Sequence, residues 1–213
     1  MTESPDSSLS TPRKAIMEAT EAALRAQGYA DLTMSDIAAE YGKSTAAIHY
    51  HYETKEDLFV AYLEYLLDQF RNEMQSIDAA EPMARLEGVL DNLLSPTDDH
   101  HELLIAILEM WSQGPYNERF GSQFQDHDEY AQYMLETTIQ DGIDDGVFQP
   151  VDAATVAHSL MTIVDGARVR AVVLDDIAEL RQARETARSY LETVLLADDE
   201  TAPGRSASGP ADR

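Results

Sequence analysis

The sequence predicts an all-α protein of about nine helices, with an N-terminal three-helix helix-turn-helix unit and a larger helical body. Three observations carry this. Apolar residues recur at spacings of three and four almost throughout, and no run of alternating β-branched residues marks a strand. Capping residues followed by helix-ending Gly and Pro recur along the chain. The 213 residues, 44% of them hydrophobic, suffice for a packed core. No internal repeat is present.

The elements follow from their ends. Residues 1–10 read as a frayed, polar tail. Thr11-Pro12 supplies a cap and a first-turn proline, and Ala15, Ile16, Ala19, Ala23 and Leu24 continue a helix that Gly28 ends. Thr33 and Asp36 have capping-box spacing and open a short helix that Gly42 closes. Ser44 caps a second short helix to about Tyr50. Thr54 with Asp57 opens a long one whose apolar face is Leu58, Phe59, Tyr62, Leu63, Leu66 and Phe70. Further helices are expected at about 82–94, 99–113, 122–145, 152–174 and 176–197, punctuated by Pro82, Pro96, Gly114-Pro115 and the stretch from Gly146 to Pro150. Residues 198–213 form a second tail of Pro, Gly, Ser and Ala. The division expected is a unit at 11–58 and a body at 59–197.

Charge and composition exclude several classes. The absence of cysteine rules out disulfides, thiolate metal sites and cysteine nucleophiles. No apolar run approaches the roughly 18 residues of a membrane span, and the start lacks a secretory pattern, so the expected setting is soluble and cytoplasmic. The net charge is −25, dispersed along the chain, with three lysines (Lys14, Lys43, Lys55) against twelve arginines. That composition suits a cell that accumulates salt, because at molar ionic strength the Debye length is about 3 Å and self-repulsion is screened. It also argues superficially against nucleic acid as a partner. Residues 11–58 are the less acidic part, with five basic and eight acidic side chains.

The stretch from Thr33 to Tyr52 carries most information. Two short helices meet at Gly42, with Ala38 four residues before it and Ile48 six after, which is helix-turn-helix spacing. Ala38 is small where helices cross, Gly42 tolerates positive φ, and Ile37 with Ile48 locks the pair. The second helix then presents Thr45, Ala46, His49 and Tyr50 to a major groove. An ordinary helical hairpin fits these spacings as well.

Residues 11–58 resemble the DNA-binding domain of the TetR family of transcriptional regulators, through Thr33, Ile37-Ala38, Gly42, Ser44, Ile48, His49 to Tyr52, Lys55 and Leu58. Two positions depart from the family pattern. Ala46 stands where Gly is usual, and its methyl either contacts a thymine methyl or holds the helix slightly away from the bases. His49 stands where a phosphate-contacting Tyr is usual. The resemblance implies Thr45, Ala46 and Tyr50 as base readers, with Thr33, Lys43, Ser44, His49, His51 and Lys55 on the phosphates. Tyr52 is expected to pack against the first helix, and the same packing fits His51 as well as a phosphate contact does.

The resemblance further implies a body that binds a small effector and forms a homodimer, since one reading head covers only a half-site. The apolar stripes of the last two helices supply candidate dimer residues: Leu160, Ile163 and Ala167, then Leu180, Ala187, Leu191 and Val194. Candidate effector contacts are Tyr62, Leu66, Trp111, Tyr130, Met134, Thr138 and Asp165. The segments 109–112 and 164–166 resemble the C-terminal domain of regulators like the choline-pathway repressor. An aromatic pocket with one acid would suit a cation, and an apolar one a lipid or hydrophobic drug.

Enzyme chemistry finds little support. His100-His101 beside Asp98, Asp99 and Glu102 read as a solvated cap rather than a metal site, since helix neighbours point about 100° apart. There is no phosphate-binding Gly-rich loop and no nucleophile elbow, and neither cofactor nor metal is expected. The leading expectation is a ligand-responsive repressor on a palindromic operator. The alternative is an acidic helical sensor or interaction module without DNA binding.

Overall fold

The computed structural model describes residues 11–77, 81–94 and 98–196, with the side chains of 98–100 left aside. The two expected tails, Pro96, and the side chains of Asp98, Asp99 and His100 therefore lie outside the described residues. Among the described residues there are nine helices and no strand: α1 Thr11–Asp31, α2 Met34–Tyr41, α3 Thr45–His49, α4 Lys55–Ser76, α5 Pro82–Leu93, α6 Asp98–Trp111, α7 Glu118–Asp144, α8 Ala153–Val173 and α9 Ala178–Leu195.

The caps explain the head. Thr33 and Asp36 form a reciprocal capping box on α2, and Thr54 with Asp57 forms another on α4. Gly42 adopts φ 69°, ψ 22°, the left-handed conformation that lets the chain turn at once into α3. Ile37 and Ile48 are fully buried and hold α2 against α3.

Two details differ from the expected elements. α1 does not stop at Gly28: the chain kinks there at φ 72°, ψ 174°, and one more helical turn reaches Asp31. α7 starts at Glu118, where Asn117 accepts from the Arg119 and Phe120 N–H groups, four residues earlier than apolar spacing alone suggests.

The cores do not divide at residue 58. One contains Ile16, Leu24, Ile37, Ile48, Phe59 and Tyr62 of the N-terminal helices, and it continues into Leu103, Ala106 and Met110 of α6 and Phe120 of α7. The other lies among α5, α7, α8 and α9, with Met74 at the far end of α4. α4 thus serves both, and α1 packs along α6, so the reading head is mounted on the body through shared core.

Candidate nucleic-acid interface

Burial of Ile48 fixes which side of α3 faces out. Ala46, His49 and Tyr50 are exposed, Thr45 is half-exposed, and Tyr50 is 85% exposed. Such exposure is unusual for an aromatic residue with no partner to cover it. Ser44 caps α3 without a side-chain hydrogen bond, so its hydroxyl is free. Lys43 stands exposed at the turn, its ammonium 3.2 Å from the Tyr41 hydroxyl and 4.7 Å from that ring's centre. His51 is half-buried between the rings of Tyr50 and Tyr52, and Tyr52 is buried.

His49 has a defined hydrogen-bond polarity. Its Nδ1 lies 3.1 Å from the Glu53 carbonyl oxygen. A carbonyl only accepts, so Nδ1 carries the proton. Held this way, the neutral ring presents Nε2 as an acceptor, and donating to a phosphate takes release of the Glu53 carbonyl or a second ring proton.

Two of the expected phosphate contacts have partners within the chain. The Thr33 hydroxyl donates to Asp36, whose Oδ2 also accepts the Thr33 N–H at 2.8 Å. These bonds hold the Asp36 carboxyl below the usual range, so a carboxylate already occupies the α2 N-terminus and repels phosphate. Lys55 turns inward. Its Nζ donates to the Tyr29 carbonyl at 2.8 Å and lies 4.6 Å from the Tyr29 ring centre and 5.5 Å from that of Phe59. Burial lowers its pKa, against the opposing pull of Glu109, Asp31 and Asp36.

The seven expected effector contacts do not come together. Tyr62 is fully buried in the head core, its hydroxyl 3.4 Å from Glu21, and Leu66 packs on that same core. Trp111 is half-exposed at the end of α6. Thr138 is buried and donates to the Met134 carbonyl at 2.8 Å, which satisfies it locally. Tyr130 and Met134 pack against the body core, and Asp165 lies nearby, raised in pKa by burial.

Around Tyr130 and Asp165 the structure gathers polar groups that the sequence reading missed. The Tyr130 ring stacks edge-on against Phe70 at 5.8 Å, and the Arg71 guanidinium lies 5.2 Å from its centre. His127 Nε2 meets the Leu63 carbonyl at 3.1 Å, and burial lowers its pKa. Arg168 donates to the Leu93 carbonyl at 3.0 Å and lies 4.0 Å from Asp165. The available signal was Asp165 and Arg168 standing one helical turn apart on a largely apolar helix.

The expected dimer stripes divide between buried and partly covered positions. Leu160, Ala167, Leu180, Ala187 and Leu191 are buried within one chain, and Ile163 and Val194 pack partly against that core. The stripes hold α8 and α9 to their own body. What α9 leaves outward is an open groove lined by Gln182, Glu185, Thr186, Ser189, Tyr190 and Thr193.

Comparison with known proteins agrees with this geometry. Residues 16–62 match the profile described as bacterial regulatory proteins, tetR family, and residues 82–196 match the C-terminal domain of the BetI-type transcriptional repressor. The chain is 28% identical to the HTH-type transcriptional regulator YfiR of Bacillus subtilis, over 87% of this chain and 92% of that one. It superposes on a TetR transcription regulator from Haloarcula marismortui with TM-score 0.84 and 51% identity, covering 88% of this chain and all of that one. A regulator from Saccharomonospora viridis solved with choline shares the fold at 22% identity and TM-score 0.76, covering 87% of this chain and 98% of its own. The chain belongs to the TetR family of helix-turn-helix transcriptional regulators, with a BetI-type C-terminal body.

Proposed function

We propose that the protein is a repressor that grips an inverted-repeat operator as a homodimer and releases it when a small molecule enters the body. The observation that carries this is the free outward face of α3, where Thr45, Ala46, His49 and Tyr50 stand beside Lys43 on a head rigidly joined to the body. Thr45, Ala46 and Tyr50 read bases. Lys43, Ser44 and His49 hold phosphates, with His51 at the edge. One α3 spans a half-site, so a second copy is needed, and the outward side of α9 supplies the partner face.

The effector enters beside Tyr130, Met134 and Asp165. Choline bound to the Saccharomonospora viridis regulator suggests a quaternary ammonium as a first candidate. In this chain Arg71 already covers Tyr130, so such a ligand must displace a guanidinium. The output is binding rather than catalysis, and its setting is the salt-rich cytoplasm that a net charge of −25 suits.

Fluorescence anisotropy tests this, using labelled duplex from upstream of the protein's own gene in about 0.5–3 M KCl with scrambled duplex as control. The expected result is sequence-dependent binding with two chains per site, abolished by Lys43→Ala with His49→Ala. Folded protein that selects nothing, either from that DNA or from a random duplex library, would leave the acidic sensor as the better description.

A further inference from the structure

The joint between head and body has an unusual construction. Gly28 adopts φ 72°, ψ 174°, a conformation essentially reserved for glycine, and the kink separates the last turn of α1 from the rest. A break of this kind leaves N–H groups without the carbonyls four residues back. Glu109, from α6, takes them: its Oε2 accepts from the Tyr29 N–H at 2.6 Å and the Ala30 N–H at 3.3 Å. The carboxylate lies so close to Gly28 that a Cβ there would stand 3.3 Å from it. On the other side of the same residue, Lys55 at the start of α4 donates to the Tyr29 carbonyl at 2.8 Å. The Tyr29 ring is wedged edge-on against Phe59 of α4 at 5.0 Å and Phe120 of α7 at 5.9 Å. Beside it, Arg119 of α7 binds Asp57 at 2.8 Å and Glu56 at 3.3 Å.

We propose that Glu109 is a positioning residue that sets the angle of the reading head, by clamping the broken end of α1 to α6 so that the two heads of a dimer meet both half-sites together. This rests on the reading of the chain as a dimeric DNA-binding regulator. The clamp joins the end of α1, immediately before α2 and α3, to a helix of the body. It holds that end through two charge-assisted hydrogen bonds to backbone, which fix direction more tightly than apolar contact does. A head without this clamp keeps its own core and its α3 surface but loses its fixed direction. Its grip on a single half-site is then unchanged, while simultaneous engagement of two half-sites suffers.

The test compares anisotropy titrations of full-length protein on a full operator and on a half-site duplex, at one KCl concentration, for wild type, Glu109→Ala and Glu109→Gln. The glutamine keeps an acceptor oxygen in place. The expected result is that Glu109→Ala binds the half-site like wild type and the full site about tenfold or more weakly, while Glu109→Gln retains most of the full-site affinity. Where Glu109→Ala does not fold by circular dichroism, Glu109→Asp takes its place, keeping the charge but falling one methylene short. Unchanged full-site binding by a folded clamp variant overturns the proposal. So does an equal loss on both duplexes, which means that Glu109 supports the head's fold and not its direction. Wild type that prefers no full site over a half-site fails earlier, at the dimeric DNA-binding reading.

Discussion

Replacing Lys43 with alanine probes how an acidic chain holds DNA. Among the described residues of the reading head, Lys55 is committed to Tyr29, and Arg25 pairs with Glu21 at 2.8 Å. Arg13 and Lys14 are exposed at the start of α1, Lys14 3.9 Å from Glu18, and Lys43 stands at the exposed turn before α3, with Glu40 and Glu53 also exposed. Each phosphate neutralised by a lysine releases close to one cation, with a slope of about −0.9 in log K against log salt. Two Lys43 side chains in a dimer thus contribute about −1.8. Cation uptake at Glu40 and Glu53 works the other way, since a carboxylate brought near phosphate must be neutralised. The net slope for wild type is expected near zero or positive, unlike the steep negative slope of a basic binder. Lys43→Ala should move it upward by about 1.8 and lower affinity on all sequences alike. Anisotropy titrations across about 0.5–3 M KCl measure both. A wild-type slope steeper than about −5, or a Lys43→Ala slope identical to wild type, would refute the reasoning.

Three further outcomes are expected. Tyr62→Phe should change stability by less than about 1 kcal/mol, because its hydroxyl makes only a 3.4 Å contact to Glu21, whereas Tyr62→Ala should cost about 3–5 kcal/mol and lower Tm by about 10 °C in thermal unfolding. His127 is lowered in pKa by burial, with Arg71 and Arg168 adding to the effect, so the folded chain binds its proton later than the unfolded chain does. Its contribution is full above about pH 6.5 and is lost as pH falls from there through the folded value; Asp165, raised by burial, acts in the opposite sense near the carboxylate range. Denaturant titrations between about pH 7 and pH 5 should therefore show wild type losing stability and His127→Gln losing less. Thr186→Arg with Ser189→Arg should yield folded monomers by sedimentation, because these residues line the outward groove of α9 and touch no core.

The helices and the short α3 after the Gly42 turn were legible in the sequence, because caps, glycine turns and apolar spacing are local signals. The sequence did not disclose what each stripe packs against. Periodicity marks Leu160, Ala187 and Leu191 as buried, and burial inside one chain or between two leaves the same pattern. Lys55 shows the same limit for charge: only the fold reveals that the Tyr29 carbonyl lies within its reach. Thr33 was legible both as a cap and as an anion site, and the structure shows the cap, with Asp36 accepting from its N–H. The polar groups around Tyr130 come from three helices, so no single segment could announce them. Glu109 was invisible for a related reason, since its partners are backbone N–H groups exposed by a glycine kink about eighty residues earlier.

The central claim is that the outward face of α3 reads DNA, and selection from a randomised duplex library with wild type, Thr45→Ala and Tyr50→Ala tests it most directly. The account predicts that wild type enriches an inverted repeat and that each variant relaxes base preference at one pair of symmetric positions. No enriched motif from folded wild type, or one identical motif for all three proteins, would contradict it.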